Sequence, residues 1–214
     1  RVVGMPLDPE VTTLDRASRR AAARASLGLP PDAFVVFITG GSQGAASLNA
    51  AAVGLGRRWA GDGGIKVVLK TGRAHHEAIE REIREAGAGD VVKPVSFFER
   101  ITDAYAAADL TVSRAGAGTV AELAAVGMPS ILVPYPFASD DHQTVNARSL
   151  ADVGGAESVA DADATADNLG PKLEALRADR ERLASMGERA RAVGRPGAAA
   201  ELAQWVLDLA GVGG

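Results

Sequence analysis

Residues 109–146 read DLTVSRAGAGTVAELAAVGMPSILVPYPFASDDHQTVN. Leu110–Ser113 is a short apolar run with two β-branched residues, which predicts a buried strand. Arg114–Gly118 is small and glycine-bearing, a turn that lets backbone approach another group closely. Thr119–Val126 then places Val120, Leu123 and Ala124 at helical spacing. Gly127 stops that helix and Pro129 forbids its continuation. Ile131–Val133 is the next strand, and Pro134 and Pro136 open a polar loop.

Strand, glycine turn and helix start together make a site for phosphate. The first amides of a helix lack intrahelical partners and carry partial positive charge. An anion placed there gains hydrogen bonds and a favourable dipole. Glu122 falls in or near the first turn. It is either a favourable charge for that turn or an acceptor for ribose hydroxyls.

Working outward, Phe34–Thr39 (FVVFIT) is apolar up to its last residue, as a strand buried on both faces should be. Gly40-Gly41-Ser42-Gln43-Gly44 follows, then a helix over 45–59. This second glycine turn departs from G-x-G-x-x-G because Ser42 holds the second glycine position. Ile65–Leu69 and Val91–Ser96 are further strands. Pro94 cannot donate to a ladder, so the second of these belongs at a sheet edge. Helices are predicted over 74–86 and 101–108, with His75 and His76 facing solvent. Phe97 and Phe98 stand out in a chain with 4% aromatic residues. After Asn146 a helix continues to about Val153, Ala156–Val159 is a sixth strand, and the tail is helical. Residues 161–167 (DADATAD) form a solvated acidic loop. Residues 1–11 read as extended linker, since Pro6 and Pro9 disfavour helix. The helix over 14–27 turns Arg16, Arg19, Arg20 and Arg24 to solvent.

Six strands alternating with helices predict an α/β fold, a doubly wound, mainly parallel six-stranded sheet of Rossmann type. An edge position for the third strand fits the order 3-2-1-4-5-6. Strands one and four are then neighbours, and both glycine turns face one crevice. That convergence predicts a nucleotide-diphosphate site.

The 214 residues, 47% hydrophobic and 23% charged, suit one globular unit. A net charge of −4 gives no electrostatic footprint for nucleic acid. Absence of cysteine excludes disulfide and thiolate chemistry. No apolar run reaches the ~18 residues of a membrane span, and the reading is cytoplasmic. The start at Arg1 rather than methionine reads as a segment of something longer.

Three readings fit. Gly116–Ala121 matches G-x-G-x-x-A, as in a nicotinamide or flavin oxidoreductase, but in the fourth βα unit instead of the first. A binding module without chemistry fits the lack of any Ser-His-Asp or paired-carboxylate arrangement. The third reading rests on GGSQGA (40–45), AYAAADLTVSRAGAGTVAELAAVGMPSILVPYP (104–136) and DDHQTVNA (140–147). These three motifs resemble, in order, the MurG-type bacterial N-acetylglucosaminyltransferases of glycosyltransferase family 28.

The resemblance runs from Gly4 through the whole chain at the level of the carboxyl-terminal domain. It implies one half of a two-domain GT-B fold: linker over 1–11, donor domain over 12–214, and an acceptor domain beyond this chain. The implied reaction is inverting transfer of N-acetylglucosamine from UDP-N-acetylglucosamine to a lipid-linked acceptor, lipid I to lipid II. A natural-product glycosyltransferase of the same family is the alternative. By resemblance, Ser42 lies at the diphosphate and Phe98 contacts uracil. Ala117, Gly118, Thr119, Val120 and Ala121 supply helix-terminal amides to the diphosphate. Glu122 holds the ribose, and Gln143 with Asn146 reads the sugar hydroxyls. The catalytic base and the membrane-facing patch are implied in the other domain, at the inner face of the cell membrane. No metal or cofactor is expected. The family has an arginine shortly after the linker proline, and here that place is Asp8.

Overall fold

Phe34–Thr39 is buried along its whole length and runs through the middle of the sheet. The computed structural model describes residues 2–41 and 44–211. Its first half holds α1 (Pro9–Thr12), α2 (Arg16–Ser26), β1 (Phe34–Thr39), α3 (Ala46–Arg58), β2 (Ile65–Lys70), α4 (His76–Glu85), β3 (Val92–Val95) and α5 (Ile101–Ala107). Then come β4 (Leu110–Ser113), α6 (Ala117–Val126), β5 (Ser130–Leu132), α7 (His142–Ala151), β6 (Ala156–Ser158), α8 (Ala166–Ala178), α9 (Arg180–Val193) and α10 (Ala198–Leu209).

All six strands pair in parallel in the order β3-β2-β1-β4-β5-β6. Pro94 sits in the edge strand opposite Leu69, where its missing N–H costs the least. Successive residues of β1 point to opposite faces and so feed two cores. Phe34, Val36 and Ile38 pack with Leu48, Leu55, Leu169 and Leu173 from α3 and α8. Val35 and Phe37 pack with Tyr105 and Leu123 from α5 and α6. Each such apolar side chain contributes about 1.5–3 kcal/mol on burial, so the sheet's centre is its most strongly held part.

Three expectations are corrected. The linker is not wholly extended: Pro9–Thr12 makes one helical turn, started by Asp8, whose carboxylate accepts the Glu10 N–H at 2.7 Å. Proline disfavours helix on its amino side but suits the first helical position.

The α2 arginines are not simply a solvated face: Arg19 and Arg20 stay partly exposed, but all four make specific contacts. Arg24 is 2% exposed and meets Asp109 at 2.9 Å. Arg20 meets the same carboxylate at 2.6 Å, and Arg19 meets Asp103 at 2.7 Å. Arg16 donates to the carbonyls of Tyr105, Ala108 and Gly127. These last groups lie at the negative, carbonyl-bearing ends of α5 and α6, which attract cations. Burial, more than the nearby Arg20 charge, lowers the Arg16 pKa to about 10, which leaves it charged at neutral pH.

The acidic loop is not simply solvated either. Asp161 meets Arg114 at 2.6 Å and accepts the Ser47 hydroxyl at 2.6 Å. Arg114 and Asp161 are the two halves of a tie between the β4–α6 turn and the loop after β6.

Candidate nucleotide-sugar site

Thr39 lies opposite Ser113, so the turns after β1 and β4 open side by side at the carboxyl edge of the sheet. Gly40 is required at its place: a Cβ there would stand 2.3 Å from the Ala45 nitrogen. The residues that precede α3 and α6, Ala45 and Gly116, are extended and offer no side-chain cap. Asn49 N–H donates to the Ala45 carbonyl and Val120 N–H to the Gly116 carbonyl, both at 2.9 Å. The amides left without an intrahelical partner are therefore those of Ala46, Ser47 and Leu48, and of Ala117, Gly118 and Thr119. This narrows the expected set, because Val120 is already bonded and Ala121 lies one residue deeper in the helix.

Both helix starts contribute to one cavity of about 730 Å3. Its wall includes Gly40, Gly44, Ser47, Arg114, Gly116, Gly118, Thr119, Glu122, Tyr135 and Gln143. A Cβ placed on Gly116 or Gly118 would meet nothing within 4 Å. Internal packing gives no reason for glycine there, whereas a ligand lying against the backbone does. Ser42 lies outside the described residues.

Glu122 is half-buried on this wall, in the second turn of α6, not the first, because α6 begins at Ala117, two residues before Thr119. Its Oε2 accepts the Tyr105 hydroxyl at 2.7 Å. Gln143 stands at the start of α7. Its Oε1 accepts the backbone N–H groups of Ala115 at 3.2 Å and Tyr135 at 3.0 Å. The oxygen is thereby engaged, and the amide nitrogen, with two N–H donors, is the end left for a ligand.

Other expected residues stand apart. Asn146 donates to the Ala115 carbonyl at 3.0 Å and, with Ala117, Val120 and Ala121, lines a separate cavity of about 240 Å3 beside Gly4 and Met5. Phe98 packs edge-to-face on Phe37, with ring centroids 5.7 Å apart, and touches neither cavity wall.

The sequence reading missed Arg114 as an individual group. Its guanidinium, 11% exposed, donates to Ser47 Oγ at 3.0 Å and to the carbonyls of Val133 and Pro134, and stands 5.4 Å from the Tyr135 ring. It ties the β4–α6 turn to the start of α3. The signal available was a single cation between a buried strand and a glycine turn. Lys70, at the carboxyl end of β2, has its pKa lowered by burial, with the Glu122 charge acting in the opposite direction. Among the described residues no cluster of three His, Asp or Glu side chains is placed to hold a metal ion, and no helix is long and apolar enough to cross a membrane.

Residues 35–202 match the family described as Glycosyltransferase family 28 C-terminal domain. The UDP-N-acetylglucosamine--N-acetylmuramyl-(pentapeptide) pyrophosphoryl-undecaprenol N-acetylglucosamine transferase of Mycolicibacterium paratuberculosis is 43% identical over 209 residues, covering 97% of this chain and 50% of that protein. Its counterpart from Desulforudis audaxviator is 37% identical over 217 residues, covering 99% and 57%. The crystal structure of Acinetobacter baumannii MurG superimposes with a TM-score of 0.73 at 29% identity, covering 87% of this chain and 53% of that one. The chain spans about half the length of the curated relatives it matches. With two uncapped helix starts on one cavity, a parallel sheet in the order 3-2-1-4-5-6 and a match over 35–202, the chain belongs to the glycosyltransferase family 28 C-terminal domain family.

Proposed function

We propose that this chain is the donor-binding half of an inverting glycosyltransferase that moves N-acetylglucosamine from UDP-N-acetylglucosamine to a lipid-linked acceptor, the step from lipid I to lipid II. The observation that carries the proposal is the cavity wall itself. The helix-start residues Ala46, Ser47, Gly118 and Thr119, whose amides lack an intrahelical partner, and two glycines without a packing role lie together with Glu122 and Gln143. The names of the similar curated proteins support the same donor and acceptor.

In this reading the Gly118 and Thr119 amides, with those of Ala46 and Ser47, hold the diphosphate. As the sugar leaves, negative charge grows on the departing UDP, and these fixed dipoles stabilise it without having to reorient. Glu122 accepts from the ribose hydroxyls. Gln143 donates its amide N–H groups to a sugar hydroxyl, and Phe98 or its backbone meets uracil. Acceptor, catalytic base and any peripheral contact with the inner face of the membrane belong to an amino-terminal domain.

Calorimetric titration of the chain with UDP, UDP-N-acetylglucosamine and NADH, with and without EDTA, tests the proposal. The expected result is weak binding of both uridine nucleotides, unchanged by EDTA. Tighter binding of NADH than of UDP would move the assignment to an oxidoreductase. Formation of lipid II by the purified chain alone would contradict the placement of the acceptor site in another domain.

A further inference from the structure

Tyr105 is 1% exposed, near the end of α5. A buried phenol needs a partner for its hydroxyl. That partner is Glu122 Oε2, 2.7 Å away and 17 residues further along the chain. Burial first, and then the Glu122 charge, push the Tyr105 pKa well above its ordinary value. The phenol therefore stays protonated, and the bond always runs from Tyr105 to Glu122.

The ring is itself held. It packs edge-to-face on Phe37, with centroids 6.0 Å apart and planes at 79°. Phe37 is fully buried in β1 and packs in the same manner on Phe98, at 5.7 Å and 83°. One aromatic chain thus runs from Phe98 through Phe37 and Tyr105 to the Glu122 carboxylate.

A carboxylate offers about four acceptor sites on two oxygens. The phenol uses one on Oε2. Among the described residues no other hydrogen bond to Glu122 forms, so Oε1 remains for the cavity that Glu122 lines. A glutamate left loose would have to be ordered at the moment of binding, and that entropy would be subtracted from affinity.

We infer that Tyr105 is a positioning residue of the donor site. It holds the Glu122 carboxylate so that its second oxygen meets the ribose 2′-hydroxyl, while Phe37 keeps that carboxylate in register with the ring of Phe98. The inference rests on the proposed nucleotide reading of the cavity.

The test is calorimetric titration of the chain and its Tyr105→Phe variant with UDP and with 2′-deoxy-UDP. Phenylalanine keeps the ring and its packing and removes only the hydroxyl. The wild type is expected to prefer UDP. The variant is expected to lose about five- to tenfold in affinity for UDP while its affinity for 2′-deoxy-UDP changes by less than about twofold. The preference for ribose then collapses, an outcome that general damage to the fold does not produce. In a Glu122→Ala background, adding Tyr105→Phe is expected to change UDP affinity by less than about twofold, since the two act as one unit. Equal weakening of both nucleotides by Tyr105→Phe, or an unchanged ratio between them, would overturn the role of Tyr105 and leave the nucleotide site standing. Failure of the wild type to bind UDP or to distinguish it from 2′-deoxy-UDP would overturn the ribose role of Glu122 and this inference together.

Discussion

Gln143 and Asn146 clasp Ala115 from both sides: the Gln143 oxygen takes its N–H at 3.2 Å, and the Asn146 amide donates to its carbonyl at 3.0 Å. α7 is thereby locked to the β4–α6 turn. A residue expected to read sugar hydroxyls is also a structural tie, and the two duties fall on different ends of one amide.

Gln143→Ala should therefore have two effects. Loss of the ties to Ala115 and Tyr135 should lower stability by about 1–2 kcal/mol. Loss of the amide donors should remove most of the extra affinity that the sugar adds to UDP. Glu122→Ala should instead weaken UDP and UDP-N-acetylglucosamine alike, by roughly ten- to a hundredfold. Urea titration and calorimetry on the two variants check this, and equal weakening of bare UDP by both would show that Gln143 is not a sugar reader.

Gly118→Ala separates ligand binding from folding. The added methyl would meet no atom within 4 Å in the free chain. Stability is expected to hold or rise by up to about 1 kcal/mol, since alanine suits a helix better than glycine. Affinity for UDP is expected to fall at least tenfold because the methyl occupies the approach to the free amides. Unchanged affinity would show that nothing lies against α6 here.

Asp109→Ala should be among the most damaging single changes away from the cavity. Asp109 pairs with Arg20 and Arg24 and accepts the Val35 N–H at 2.8 Å. Arg24 is 2% exposed, so removal of the carboxylate leaves a buried charge whose remaining partners are backbone carbonyls. A cost of about 3–5 kcal/mol is expected in urea unfolding, and Asp109→Ala with Arg24→Met together should recover part of it.

Acid should destabilise the chain through two surface carboxylates. Arg177, bonded to Asp62, holds that carboxyl below its usual range, with the Gly64 N–H adding to the effect. Arg58, and then the Trp59 N–H, do the same for Glu174. Both groups have lower pKa values folded than unfolded. Their stabilisation is complete above about pH 5 and is lost as pH falls through about 4 and below. The groups are exposed, so the effect is modest. The urea midpoint should be flat from about pH 7 to 5 and drop below it. Asp62→Asn with Glu174→Gln should make that drop shallower, and an identical profile would show that the acid loss arises elsewhere.

Strand order, the edge place of β3 and the convergence of two glycine turns were legible in the sequence because each depends on local grammar. An unbroken apolar run marks a strand covered on both faces, Pro94 marks an edge, and glycine before a helical period marks a turn that opens on the cavity. Glu122, read from its place after the glycine turn, and Gln143, implied by the family resemblance, both line the cavity. Only the tertiary structure decided what the polar side chains do. Arg24 meets Asp109 85 residues away, Asp161 meets Ser47 114 residues away, and Tyr105 reaches Glu122 from a different helix. Long, charged side chains look solvated in any local window. Whether they are depends on which carbonyl or carboxylate the packed sheet brings within reach, and no spacing along the chain encodes that.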